Sequence, residues 1–112
     1  MITKTLGALL GLLLLNQIAF AEVSISRGKL LYLSNCIQCH NKDPNLKGPI
    51  GPEMIDAPLD VMTSKVMTGK YPAQLPPGFL PKRKTTAMRA ITKLKNDIPS
   101  IHAWVQSVKI KK

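Results

Sequence analysis

Cys36, Cys39 and His40 are the residues of this chain whose types and spacing could do chemistry. Residues 36–40 read Cys-Ile-Gln-Cys-His. Two thiols separated by two residues, with an imidazole directly after, form the attachment pattern of a covalently bound haem. Each thiol can add to one vinyl group of the porphyrin and give a thioether, and the adjacent imidazole is held beneath the ring, where it can ligate the iron. Two intervening residues put the sulfurs on opposite sides of a helical turn, a separation that suits the two vinyls. Cys-x-x-Cys also serves as a redox dithiol, as half of a zinc site or as one small disulfide. A structural zinc site takes four protein ligands. Outside the motif the chain offers only His102 and no third cysteine. A thioredoxin-like site wants a βαβ setting, and no strand-rich stretch is visible.

The N-terminus gives the motif a setting. Lys4 supplies a positive start, Leu6 to Leu15 is apolar, and Ala19-Phe20-Ala21 is a small-x-small cleavage site. Residues 1–21 are therefore expected to be a cleaved secretory signal peptide, with the mature chain beginning at Glu22 and localised to the periplasm. The apolar run is short for a retained membrane span, and no cysteine follows it to carry a lipid. Residues 22–112 make one small domain. That domain has four aromatic residues, Tyr32, Tyr71, Phe79 and Trp104. This is a thin supply for a small core, and a covalent porphyrin would add the missing apolar mass.

The elements that must position the motif read as helices and loops. Ser24 or Ser26 can cap a first helix that runs to about Asn35, with Ile25, Leu30, Leu31 and Leu33 as its apolar positions and Gly28 and Tyr32 among them. Residues 41–58 carry Asn41, Asp43-Pro44, Gly48-Pro49, Gly51-Pro52 and Pro58, and read as loop. Leu59, Met62 and Val66 have helical spacing over 59–68, and Gly69 suits the stop. Residues 71–86 hold Pro72, Pro76, Pro77 and Pro81 and read as an ordered, irregular loop. The last helix is expected from about Asn96 to Val108. Asn96 or Asp97 would be its cap, Pro99 lies in the first turn, and Ile98, Ile101, Val105 and Val108 make one buried face. Lys109, Lys111 and Lys112 suit the negative end of its dipole.

Taken together, the chain resembles the small bacterial class I cytochromes c over about Gly28 to Val108. The resemblance implies an all-α fold of three to four short helices around one covalent haem c, with irregular loops between them. Gly28-Lys29-Leu30-Leu31-Tyr32 resembles the glycine and aromatic that precede the motif in that family, and Trp104 falls where its final helix carries an aromatic. The first and last helices should then cross, with Gly28, Tyr32 and Trp104 meeting. Gly51-Pro52-Glu53-Met54 resembles the family's Gly-Pro-x-Leu turn, which makes the Pro52 carbonyl the acceptor for Nδ1 of His40; Gly48-Pro49 is a nearby duplicate. His40 is implied as the proximal iron ligand and Met88, after the irregular loop and before the last helix, as the distal one. Met62 and Met67 read as helical packing residues, and Met54 takes the place of a core leucine. The family often has Met-Pro at the ligand, whereas this chain has Met88-Arg89. His102 is the other conceivable ligand, expected instead to face solvent or to bond locally.

Charge bears on partners. The chain has 16 Lys and Arg against 6 Asp and Glu, a formal net charge of +10, and removal of residues 1–21 takes only Lys4 with it. Lys82, Arg83, Lys84 and Arg89 flank the expected distal ligand, and a positive rim there would steer redox partner proteins with acidic docking faces. A solvated basic surface without a role is the plainer reading. Nucleic acid is not expected of an exported chain without a nucleic-acid motif, nor is a stable membrane anchor after cleavage. The expected function is single-electron transfer between partner proteins, without catalysis. Two other functions are open. One is a haem enzyme or small-ligand binder with an open or labile sixth position. The other is a dedicated cytochrome subunit of an exported dehydrogenase or oxidase.

Overall fold

The computed structural model describes residues 22–83 and 87–110. The segment read as a signal peptide, Lys84, and the terminal Lys111 and Lys112 lie outside the described residues. The described residues form three α-helices, α1 (Ile25–Asn35), α2 (Leu59–Thr68) and α3 (Ile98–Ser107), with a 3-10 turn over Thr92–Asp97 before α3. No strand occurs among the described residues, so the all-α reading holds at that level.

The helix ends follow local chemistry. Ser24 caps α1, its hydroxyl accepting from the Arg27 amide at 3.2 Å, and Ser26 lies inside the helix. Gly69 ends α2 with φ 74°, in the left-handed region that favours glycine. Pro99 sits in the first turn of α3. Asp97 occupies the N-cap position there without making a side-chain cap, because its carboxylate is taken by Arg27 at 2.8 Å, which ties α3 to α1.

The core lies where α1 crosses α3. A Cβ on Gly28 would overlap the carbonyl of Ser100, so the two backbones touch at a point that admits no side chain. One turn further along, the Tyr32 and Trp104 rings pack with centroids 5.1 Å apart. Such an aromatic pair adds about 0.5–1.5 kcal/mol beyond its area. Tyr32 and Trp104 thus meet as expected, while Gly28 packs on Ser100 rather than on the indole. Met62, Val66, Leu94, Ile98, Ile101 and Val105 complete the cluster. His102 donates from Nε2 to the Ala57 carbonyl at 3.1 Å; this is a distant bond to the loop before α2, not a local one.

Several expectations about faces need correcting. Ile25, Leu30 and Leu33 of α1 are exposed, because the contact with α3 is made through Gly28 and Tyr32, which lie on another side of the helix. Leu59 is exposed and Val61 is buried, so the inner face of α2 is Val61, Met62 and Val66. The 3-10 turn was not expected: it carries Leu94 into the core just ahead of the predicted start of α3.

Candidate functional site

The end of α1 delivers the motif. Cys36 caps the helix, and the chain continues as turn with the His40 amide bonded to the Cys36 carbonyl at 2.9 Å. Both cysteines are free and half-buried. Burial, reinforced by Cys39, pushes the Cys36 thiol up to about 11. A thiol that attacks disulfides has its pKa lowered instead, so the redox-dithiol reading gains nothing here. No group of three or more His, Cys, Asp or Glu side chains suited to a metal occurs among the described residues, which leaves the zinc reading without a donor set.

His40 is buried, at 8% exposure, and its ring is fixed by backbone. Nδ1 lies 3.0 Å from the Pro52 carbonyl; that oxygen can only accept, so Nδ1 carries the proton. A Cβ on Gly51 would collide with the imidazole, and one on Gly48 with the backbone of Cys39 and His40. The amides of Ile50 and Gly51 both point back to the Cys39 carbonyl, at 3.2 and 2.7 Å, and Gly48 donates to the Gly51 carbonyl at 2.9 Å. Of the two Gly-Pro pairs, Gly51-Pro52 therefore supplies the acceptor, and Gly48 lets the turn lie against the motif. Burial is the main influence on the imidazole and lowers its pKa; the Pro52 bond opposes this, and Lys65 and Arg83 add to the lowering. The ring is held neutral, the form that binds a metal, and Nε2 has no partner among the described residues.

His40 forms part of the wall of a cleft of about 810 Å³, its open mouth included. Sites for cofactors and small molecules are mostly apolar. Cys39, Pro52, Met54, Val61, Met62, Val66, Tyr71, Phe79 and Met88 also line it. Met62 is 2% exposed and belongs to the core cluster, while Met88 is half-buried on the loop. Met67 does not reach the cleft. Met88 is placed through its backbone: a Cβ on Gly69 would come 2.6 Å from the Met88 carbonyl oxygen, and the Ile91 amide donates to the Val66 carbonyl at 2.7 Å. The segment after Met88 thus docks on the C-terminal end of α2.

Three cations line the cleft, and the structure separates their roles. Lys82 is paired with Asp56 at 2.9 Å and Glu53 at 3.6 Å. The Arg83 guanidinium donates to the carbonyls of Ile50 and Gly48. Lys65 lies over the Tyr71 ring at 4.5 Å and donates to the Gly69 carbonyl at 3.2 Å. Of the expected docking cluster, Lys82 and Arg83 are engaged within the molecule, Arg89 is exposed, and Lys84 lies outside the described residues. Sequence reasoning had no role for Lys65 or for the Tyr71–Phe79 pair, whose rings are 6.2 Å apart. The scarcity of aromatics was the signal that could have placed these two at the site.

No family model, no curated protein and no solved structure matches this chain.

Proposed function

We propose that the chain is an exported monohaem cytochrome c of the class I type that passes single electrons between partner proteins in the periplasm. The observation that carries this reading is His40. Its Nδ1 is committed to the Pro52 carbonyl and its Nε2 is left free beside an apolar cleft that begins at Cys39. The donor set fits the group. Two free thiols in Cys-x-x-Cys-His spacing, a neutral imidazole and a thioether on the facing loop are what a covalent, hexacoordinate haem requires.

When bound, the haem would supply the Fe(III)/Fe(II) couple. Cys36 and Cys39 would tether it, and His40 and Met88 would ligate its iron. The Pro52 carbonyl fixes the imidazole plane and makes Nε2 a stronger donor. Val61, Val66, Tyr71 and Phe79 give the cleft apolar walls. Lys65 has no Asp or Glu carboxylate within ion-pair distance, and all six acidic residues of the chain lie among those described. It is therefore available to the carboxylates of a porphyrin, while Arg83 is spent on the Ile50 and Gly48 carbonyls. A carrier is favoured over an enzyme because two protein ligands would leave no open position for a substrate. Exposed Arg89, with whatever remains of the basic rim, would meet acidic partners.

Mass spectrometry of the exported protein tests this reading: the mass of residues 22–112 plus one haem is expected, surviving acid–acetone extraction. Haem released to the organic phase would defeat the covalent assignment. Met88→Ala should abolish the weak far-red ferric band of methionine ligation and lower the potential. A wild-type ferrous protein that already binds carbon monoxide fast would favour the open-site function instead.

A further inference from the structure

Lys82 and Arg83 are consecutive residues of the loop that leads to Met88, and both reach across to the segment that surrounds His40. Arg83 uses two different nitrogens on two different carbonyls, Nη1 on Ile50 and Nη2 on Gly48. Those carbonyls alternate with the amides of Ile50 and Gly51 that bond to Cys39. The turn is thus gripped from both sides, by the motif through its N–H groups and by Arg83 through its C=O groups. Lys82 holds the next stretch of the same segment through Glu53 and Asp56. Glu53 directly follows Pro52, the acceptor for His40. Behind Arg83 the loop is propped by the Tyr71–Phe79 pair. No other described side-chain hydrogen bond or ion pair joins residues 71–83 to residues 48–56.

We propose that Lys82 and Arg83 form a clasp that holds residues 71–83 against the turn around His40, and that this clasp sets how readily an outside ligand reaches the cleft. The proposal rests on the haem reading above for the identity of the site, but the clasp itself concerns this chain's own contacts. Arg83 is a positioning residue in it. Its planar fork can satisfy two carbonyls at once, which the single ammonium of lysine cannot do in the same geometry. The two halves of the clasp should also differ in their response to salt. Lys82 makes exposed ion pairs, which salt screens; Arg83 bonds to neutral carbonyls and should be nearly indifferent to it.

The test uses the purified, haem-counted protein with Arg83→Met, Arg83→Lys and Lys82→Met. Two rates are read: chymotrypsin cleavage after Phe79, and association of imidazole with the ferric protein. Arg83→Met should raise both about tenfold, as loss of charge-assisted hydrogen bonds implies. Arg83→Lys should restore little, and helix content should be unchanged in both variants. Lys82→Met should give a smaller rise, which high salt reproduces in the wild type. Cleavage of Arg83→Met at the wild-type rate would overturn the clasp, and so would Arg83→Lys behaving as wild type, since charge alone would then suffice. The protease arm does not depend on haem. If the wild type carried no haem, the functional reading would fall while cleavage rates still decided the clasp. If the wild type bound imidazole fast and Arg83→Met still accelerated cleavage, Met88 would lose its role as ligand and the clasp would remain.

Discussion

His40 and Met88 line the same cleft, but the walls that carry them are made differently. The His40 wall is a backbone construction. Gly28 lets α1 touch α3, Gly48 and Gly51 leave no room for a side chain, and peptide groups of residues 39–52 fix the turn and the ring. The Met88 wall, over residues 71–83, contains no helix among the described residues and is held by side chains: an aromatic pair, a lysine over a ring, an ion pair and an arginine fork. Gly78 there adopts φ 80° with open space around it. Backbone packing has few alternatives and resists opening, whereas side-chain contacts can be released one at a time. In the proposed cytochrome, the ligand on the first kind of wall would stay fixed and the one on the second could yield.

The contrast can be broken most directly at the glycines. Gly28→Ala drives a methyl group into the Ser100 carbonyl. It should cost about 3 kcal/mol or more, as overpacking against backbone does, a large share of a domain's ~5–15 kcal/mol. Gly78→Ala, on the distal loop, should cost only the roughly 1–2 kcal/mol of a left-handed alanine. Urea unfolding measures both, and equal costs would remove the distinction between the walls. Met62 comes next. It is sealed in the core and also lines the cleft, so Met62→Ala should lower stability by about 2–5 kcal/mol while the ferric methionine band stays. Loss of that band in Met62→Ala would move the distal ligand from the loop wall to α2.

The smallest effect is on acid stability. The Lys82 hydrogen bond holds the Asp56 carboxyl below its ordinary pKa, and the Arg27 hydrogen bond does the same for Asp97. A carboxylate depressed in the folded state binds fewer protons there than in the unfolded chain. Its contribution is therefore complete above the unfolded value of about 3.9 and is lost as pH falls below it. The urea midpoint should decline gently below about pH 4, because these groups are exposed and screened. Asp56→Asn should flatten that decline; an unchanged slope would mean that the Lys82 pairs hold the distal wall by position and not by charge.

Much of the frame was legible because its signals are local. Ser24, Gly69 and Pro99 mark helix ends by chemistry that needs no tertiary partner. Faces were harder to read. Leu30 and Leu33 are apolar by type, yet they are exposed because the contact with α3 runs through Gly28 and Tyr32. A glycine that takes part in a crossing carries no hydropathy signal. The pairing of the basic cluster was hidden for a related reason. Charge is visible in sequence, but Asp56 lies 26 residues from Lys82 and the Gly48 carbonyl 35 from Arg83, and nothing local records that these groups meet. The 3-10 turn escaped notice because one buried residue, Leu94, sets no period.

The crossing of α1 and α3 also imposes an order in time. The Ser24 amide is bonded to the Ser100 hydroxyl across 76 positions of the chain, and Arg27 to Asp97 across 70. Until residues near 98–107 have emerged, Gly28 lacks the Ser100 backbone and Tyr32 lacks the Trp104 ring, and contacts of such long range form late. A polypeptide made or exported from its N-terminus therefore presents Cys36 and Cys39 on an unpartnered α1 before the frame can shut. The interval in which the thiols are accessible is written into the chain by the distance between its two ends.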